Sequence, residues 1–376
     1  MPRRLAVPEL IPAPMEGSVP KLDAFFHKMI ALKGSDLHLE QGQFPKIRLH
    51  GDLCPIEGEV VLTQEAMNAL LGEIASPDAW ERFQHTGDVD FAYALATGER
   101  FRVNYYFHFF GLGAVFRLIP SKVLTLEQLG MPDTLKKLAD LHSGLVLITG
   151  PTGSGKSTTL AALIDHINTS RFKKIVTIEE PVEFVHVNQK SVILHREVGL
   201  DTLSFSSGLS SAIKSDAEII LVGEMRDRET TMLALTAAQM GILVFGTLHT
   251  NSAAKTIDRV VDIFPMDQKS QVRTILANTL QGVVSQQLVR SADGTRRFAA
   301  YEVLLRSIAL SAIVADGDAS KLVSEIQTNR AMGMIQMDEC LGELVRNGQV
   351  SKEAAFMKAI DKVSFTAKFG VGAVAS

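Results

Sequence analysis

Cysteine is nearly absent from this chain. Its 376 residues include only two, Cys54 and Cys340, which lie far apart and form no C-x-x-C pair. Two isolated cysteines exclude a tetracysteine zinc site and a disulfide framework. A reducing compartment suits such a chain, and the cytoplasm is therefore its expected location.

Long apolar runs are also missing. No stretch approaches the roughly 18 to 20 residues that cross a bilayer, and the start Met1-Pro2-Arg3-Arg4 leads into proline-rich sequence rather than a signal-peptide core. No transmembrane segment is expected, so any association with a membrane should go through a partner. Residues 1–20 contain five prolines without periodicity, which indicates an extended arm.

An excess of positive charge is lacking as well. The formal net charge is −4, whereas proteins that bind nucleic acid usually carry a basic balance or a basic patch. Hydrophobic residues make up 46% of the chain and charged residues 21%, which is typical of a globular protein. Direct binding of nucleic acid is therefore not expected.

One stretch carries a specific pattern of glycines and hydroxyl residues. It lies between the apolar run 145–149 and the helical pattern 159–164, which indicates strand, phosphate loop and helix. Glycines let the backbone approach a triphosphate, whose charge is cradled by N–H groups at the helix N-terminus. Lys156 can reach the outer phosphates, and the Ser157 hydroxyl can coordinate Mg²⁺. The predicted ATP-binding residues are Gly150, Pro151, Thr152, Gly153, Ser154, Gly155, Lys156, Ser157 and Thr158.

A carboxylate ends a later apolar strand and decides whether bound ATP can be hydrolysed. Residues 219–223 are followed by Glu224, a position at which an acidic group can lie beside Mg²⁺ and orient the attacking water. A strand-end carboxylate can also be merely solvated, but its pairing with a phosphate loop favours catalysis. We therefore predict that Glu224 serves both metal and water.

Two more strand ends carry candidate residues. Glu179 and Glu180, with Glu183 behind them, follow the strand at 174–178, although a solvated turn before a proline is the alternative for this cluster. His249 follows the strand at 243–248, where an imidazole can donate to a terminal phosphate oxygen. A purely structural histidine is the alternative there.

Arginines on strands of the N-terminal half are the remaining candidates. Arg100, Arg102 and Arg117 could stabilise charge on a transferring phosphoryl group, as guanidinium groups often do from a neighbouring subunit. Alternating arginines on strands can equally mark a solvated sheet face.

The pattern of elements predicts two folded parts. Helical spacing near residues 21–33 and 63–71, with strands up to residue 118, indicates a small α+β domain with an antiparallel sheet. Strands at 145–149, 174–178, 219–223 and 243–248 alternate with helices and indicate a doubly wound parallel sheet of the α/β class, with mostly helical sequence expected beyond it, including 267–289. The predicted boundaries are an arm at 1–20, the α+β domain at 21–118, a linker at 119–125, the ATPase core at 126–289, a helical region at 290–362 and a tail at 363–376.

These motifs together resemble one family, the secretion ATPases of type II secretion and type IV pili, and within it the PilT/PilU-type pilus retraction motors. Residues 34–39 look like the N-terminal signature, and 100–104 with 113–117 resemble the arginine-bearing strands. Three further segments match the aspartate box, the Walker B segment and the histidine box of that family, and these are Thr177–His186, Leu221–Asp227 and Gly246–Asn251.

The resemblance implies a fold, an assembly and partners. It implies a PAS-like N-terminal domain, a RecA-like P-loop core and a helical C-terminal region, assembled as a homo-hexamer that hydrolyses ATP with Mg²⁺. Nucleotide would lie between the two domains, with Arg102 and Arg117 facing the phosphates and His249 sensing the γ-phosphate. The ring would act at the cytoplasmic side of the inner membrane on a pilus platform protein, and retraction by removal of pilin subunits would support twitching motility.

Some positions depart from that family. Ser210 and Lys214 stand where arginines are usual ahead of Walker B, Phe110 stands at another common arginine, and residues 309–314 lack the polar Arg and Asn of a motif linked to retraction. Lysine cannot reproduce the bidentate fork of arginine. An accessory or non-catalytic ATP-binding ring subunit, working with an active paralogous retraction ATPase, is therefore the alternative, and a nucleic-acid translocase is less favoured.

Overall fold

Two compact units make up the chain. The structure, a computed structural model, describes residues 20–49, 52–119 and 123–370. The division falls between Ser121 and Lys122. Most of the predicted arm, the middle of the predicted linker and the end of the predicted tail lie outside the described residues.

The first unit is an α+β domain built on a six-stranded antiparallel sheet. The strand order is β3-β2-β1-β6-β5-β4. A short strand and a helix, β3 and α3 below, were not predicted from the sequence. The elements are α1 (Lys21–Ala31), β1 (Asp36–Glu40), β2 (Lys46–Leu49), β3 (Asp52–Pro55), α2 (Gln64–Gly72), α3 (Pro77–Thr86), β4 (Asp88–Ala94), β5 (Arg100–His108) and β6 (Gly111–Ile119).

Alternation along β5 separates the core of this unit from its polar face. Phe101 and Tyr105 are fully buried, and the Phe101 ring stacks on Phe26 of α1 with centroids 4.1 Å apart. Arg102, between them, points to the opposite face, because successive strand residues face opposite sides. Arg102 lies directly across from Arg117 of β6 in the antiparallel register.

The second unit is an α/β core with a seven-stranded sheet. The strand order is β13-β12-β7-β11-β10-β8-β9, and all neighbouring pairs are parallel except β12 with β13. The expected α/β fold is therefore confirmed. The strands are β7 (Gly144–Thr149), β8 (Lys174–Glu179), β9 (Val192–Glu197), β10 (Ile219–Val222), β11 (Leu243–Leu248), β12 (Leu280–Arg290) and β13 (Arg297–Leu305). The helices are α4 (Asp133–Ala139), α5 (Lys156–Ser170), α6 (Phe205–Lys214), α7 (Arg228–Gln239), α8 (Ala253–Asp262), α9 (Met266–Thr279), α10 (Ile308–Asp316), α11 (Leu322–Thr328), α12 (Met337–Arg346), α13 (Lys352–Lys358) and α14 (Lys362–Phe369).

The helix predicted over 267–289 is wrong in its second half. Helix α9 ends at Thr279, and β12 continues as a strand beside β7. Residues of β12 are buried on both faces, which removes the alternation that identifies a strand from sequence. Strands β9 and β13 were not predicted.

The parallel register brings four strand ends to one edge of the sheet. Thr149 pairs with Leu248, and Val222 pairs with Gly246 and with Ile178. The loops that follow β7, β8, β10 and β11 therefore leave the sheet from the same edge, which is where α/β proteins bind ligands. None of the helices that the structure describes combines the length and the hydropathy of a membrane span.

Candidate nucleotide site

The loop after β7 has the backbone of a phosphate cradle. Gly150, Gly153 and Gly155 have φ values of 147°, 76° and 89°. A Cβ on Gly150 would lie 2.2 Å from the carbonyl oxygen of Gln286, so only glycine fits there. Helix α5 begins at Lys156 without a capping side chain from any described residue, and its first turn contains no acidic residue. Its first backbone N–H groups can therefore donate hydrogen bonds to an anion, and the residues present fit a phosphate group.

Lys156 is held over this loop. Its Nζ donates to the carbonyl oxygens of Gly150, at 2.8 Å, and Pro151, at 3.2 Å. Burial lowers the pKa of Lys156, while the charges of Glu224 and Glu183 oppose that effect. The ammonium group is thus already partly desolvated where phosphate oxygens can replace the carbonyls.

The other loop residues are divided between the turn and the helix. Pro151 and Thr152 are exposed in the turn, and Ser157 and Thr158 lie in the first turn of α5. The Ser154 side chain is buried, and its Oγ has no hydrogen-bond partner among the described residues. A buried hydroxyl beside N–H groups can bind a ligand oxygen at low cost.

Gln286, on β12, supports the phosphate loop. It was not predicted from the sequence. Its side-chain Nε2 donates to the Ser154 carbonyl at 2.9 Å, and its Oε1 accepts from the Thr159 hydroxyl at 2.8 Å. The side chain is fully buried, and the adjacent Ser285 hydroxyl lies 2.8 Å from that of Thr149. The available signal was three consecutive polar residues, 285–287, in an apolar run. Because this run was interpreted as a helix, the side of the element on which each polar side chain lies could not be predicted.

The substitution Gln286→Leu is expected to destabilise the second unit and weaken nucleotide binding. It leaves the Ser154 carbonyl and the Thr159 hydroxyl buried without a partner, which costs roughly 2–4 kcal/mol of unfolding free energy. Urea unfolding and a nucleotide titration would measure both effects. Gln287→Leu is the matched control, because Gln287 donates to Lys358 of α13 at 3.2 Å rather than to the loop. Equal effects of the two substitutions on nucleotide affinity would contradict the supporting role of Gln286.

Glu224 lies just past β10, between the side chains of Arg226 and His249. One carboxylate oxygen accepts from Arg226 at 2.7 Å, and the other lies 3.1 Å from His249 Nε2. Burial raises the pKa of Glu224, but the hydrogen bonds from Arg226 and His249 outweigh it and hold the pKa below the usual value. The structure therefore brings Glu224 and His249 together and keeps the carboxylate ionised.

Arg226 was not singled out from the sequence, although it lies within the segment that resembles Walker B. Its guanidinium also lies 4.0 Å from the Glu180 carboxylate. One arginine thus links the carboxylates that follow β8 and β10. A basic residue two positions after a strand-end carboxylate was the available signal.

Glu179, at the end of β8, is in a different electrostatic environment. Burial, together with the charges of Glu183 and Glu197, raises the pKa of Glu179 to about 7, although hydrogen bonds from the Thr177 side chain and the Glu183 backbone oppose this. Its side chain is 15% exposed. A Cβ on Gly223 would lie 3.2 Å from the Glu179 Cα. Glu179 therefore packs against the backbone of the residue that precedes Glu224.

Replacing Glu179 by Gln is expected to stabilise the protein at alkaline pH. The folded state holds this proton more tightly than the unfolded state, so wild-type stability falls as pH rises from about 4.5 to about 7 and stays reduced above that. Gln cannot ionise, so the variant should be more stable by roughly 2–3 kcal/mol at pH 8 and by little near pH 4.5. Urea unfolding at several pH values would measure the difference, and a difference independent of pH would contradict it.

Arg102 and Arg117 lie in the first unit, each beside an aspartate. Arg117 Nε donates to Asp36 at 2.7 Å, and Arg102 Nε lies 3.8 Å from Asp90. Burial raises the pKa of Asp36, but hydrogen bonds from Ser35 and Arg117 more than compensate and lower it. The two guanidinium groups share one face of the sheet as register partners. Their proposed contact with phosphates stays a prediction.

Comparison with known proteins gives consistent matches across most of the chain. A model of the family described as type II/IV secretion system protein matches residues 15–363. The type IV pilus retraction ATPase PilT of Pseudomonas aeruginosa is 48% identical over 325 residues, covering 86% of this chain and 94% of that protein. The type IV pilus ATPase PilU of the same organism is 34% identical over 331 residues, covering 88% of this chain and 86% of that protein. A crystal structure of the pilus retraction motor PilT with bound ADP superposes with a TM-score of 0.84, at 36% identity, covering 92% of this chain and 98% of the other.

Proposed function

The chain belongs to the type II/IV secretion system protein family, among its PilT-type pilus retraction ATPases, and on that basis we propose that it hydrolyses ATP to drive retraction of a type IV pilus. One observation carries the chemical part of the proposal. The phosphate loop and the Glu224 carboxylate, held by Arg226 and His249, lie at the same edge of the sheet, where parallel strands end.

The loop backbone and three side chains are proposed to hold the substrate and its metal ion. Backbone N–H groups at the start of α5 and the Lys156 ammonium would bind the phosphates, and the Ser157 hydroxyl and Glu224 would hold Mg²⁺. When bound there, Mg²⁺ would supply positive charge that offsets the charge on the reacting phosphate oxygens. Gln286 and Ser285 keep the loop in place during this step.

Two carboxylates with pKa values shifted in opposite directions support a division of labour. Glu224, with its lowered pKa, is a weak base that orients the attacking water and balances charge. Glu179, whose pKa is about 7, can take up a proton near neutral pH. Glu180 then acts through Arg226, and His249 responds to the γ-phosphate through the hydrogen bond that it shares with Glu224.

The assembly and partners are part of the same proposal. We place the protein in a homo-hexamer on the cytoplasmic side of the inner membrane, acting on a pilus platform protein, with Arg102 and Arg117 adding positive charge to the phosphates. Residues Ser210 and Lys214, where the family usually carries arginines, favour a second candidate, a ring subunit that binds ATP but depends on an active paralogue.

Deletion of the gene in its own organism tests the retraction function. We expect the deletion strain to carry more surface pili and to lose twitching motility, and the wild-type gene to restore both. A copy encoding Glu224→Gln should fail to restore them if the chain is the motor. Full restoration by that copy would favour the accessory function, and unchanged pili and motility in the deletion strain would contradict both.

A further inference from the structure

A histidine on the edge strand β9 makes a set of contacts that the proposed chemistry has not used. His195 lies beside Thr177 in the parallel register of β8 and β9, and its Nδ1 is 2.9 Å from the Thr177 hydroxyl. On the other side of the ring, the backbone N–H of His186 donates to Nε2 at 3.1 Å. Both ring nitrogens are therefore engaged.

These contacts determine which nitrogen carries the proton. A backbone N–H can only donate, so Nε2 of His195 must be the unprotonated acceptor. The proton of the neutral ring is then on Nδ1, which donates to Thr177 Oγ1. A proton on Nε2 would point at the His186 N–H, and two donors cannot hydrogen-bond to each other. The contact therefore also disfavours the doubly protonated ring.

The Thr177 hydroxyl lies between His195 and Glu179 in this chain of contacts. Its oxygen accepts from His195, so its own proton is free to donate, and a hydrogen bond from the Thr177 side chain lowers the pKa of Glu179 against the effect of burial. Thr177 and Glu179 are two residues apart on β8 and so share one face of the strand. The Glu179 carboxylate also lies 4.0 Å from His195 Nδ1, so the two side chains are neighbours.

We propose that His195 is a positioning residue for ATP hydrolysis, acting through the Thr177 hydroxyl to fix the Glu179 carboxylate. The ring needs no charge for this role. It supplies a proton donor at Nδ1 in a fixed orientation, because the His186 backbone holds the other nitrogen. This inference rests on the proposed ATPase function.

His186 provides a matched control on the same ring stack. Its side chain is buried and stacks on the His195 ring with centroids 5.7 Å apart and planes 13° apart. Only its backbone N–H takes part in the chain of hydrogen bonds, and its Nδ1 has no partner among the described residues. His186→Phe therefore keeps an aromatic ring and the backbone donor but removes the imidazole.

Kinetics of the full-length protein test the proposal. His195→Phe and Thr177→Val are expected to lower kcat for ATP about tenfold, with KM changed less than twofold, as for loss of one positioned group. His195→Asn, which keeps an N–H donor near the Nδ1 position, should recover most of kcat, and His186→Phe should stay near wild type. Loss of activity in His186→Phe equal to that in His195→Phe, or an unchanged kcat in His195→Phe, would overturn the proposal.

A spectroscopic measurement tests the geometry whether or not the protein turns over ATP. In protein labelled with ¹⁵N-histidine, His195 should show the neutral Nδ1–H tautomer, and Thr177→Val should shift its Nδ1 resonance. An Nε2–H tautomer, or an Nδ1 resonance unmoved by Thr177→Val, would overturn the proposal. Wild-type protein without ATPase activity but with the expected tautomer and shift would instead contradict the proposed function and limit His195 to fixing Glu179.

Discussion

Glu224→Gln is expected to lower the ATP hydrolysis rate by about 10²-fold or more while ATP remains bound, as for loss of a group that acts on the attacking water. The substitution keeps the size of the side chain and one acceptor oxygen but removes the charge that Arg226 and His249 surround. Ground-state binding depends mainly on the loop and Lys156, so it should change little. Phosphate release and a nucleotide titration on the same preparation measure the two quantities.

Glu218→Gln is the matched control, at the other end of the same strand. Glu218 precedes β10 and pairs with Lys173 at the surface, so its loss should cost little. Equal losses of hydrolysis in both variants would mean that the effect is structural. If Glu224→Gln hydrolysed ATP at the wild-type rate, the result would contradict a catalytic role for this carboxylate.

Lys156→Ala is expected to weaken ATP binding about 10- to 100-fold, the cost of losing a charge-assisted hydrogen bond to phosphate. The Lys156 Nζ already lies within the loop, 2.8 Å from the Gly150 carbonyl, so little rearrangement is needed for it to reach a phosphate oxygen. Of the two carbonyls that it leaves, that of Pro151 belongs to an exposed residue and can bind water. Titration with a fluorescent ATP analogue measures the loss.

The exposed Lys137 of α4 offers a control for the loss of one positive charge. Lys137→Ala should bind ATP as the wild type does. Wild-type affinity in Lys156→Ala would contradict a phosphate-binding role for the loop lysine. A similar weakening in both variants would point to net charge rather than to the site.

Features encoded by local sequence could be predicted from it. The loop at 150–158 is recognised because its glycines, lysine and hydroxyls are consecutive, and its backbone follows from those residues. The carboxylates of Glu179 and Glu224 were located because parallel strands that end together place the following residues at one edge. The α/β core and the antiparallel sheet of the first unit followed from the same patterns.

Features that depend on long-range pairing were not predicted. Gln286 bonds to Thr159, 127 positions away in the chain, and only the placement of β12 beside β7 makes that contact possible. The contact between His195 and Thr177 likewise depends on β9, a strand with no clear alternation and therefore missed. Arg226 was visible in the sequence, but its pairing with Glu224 and its proximity to Glu180 required the fold.

Steady-state turnover of Mg-ATP by the purified full-length protein, with its mass measured in the same solution, tests the central claim most directly. We expect phosphate release from an assembly with the mass of six chains, without any other protein. A folded, ATP-binding ring that releases no phosphate would contradict a self-sufficient motor and favour the subunit that depends on an active paralogue.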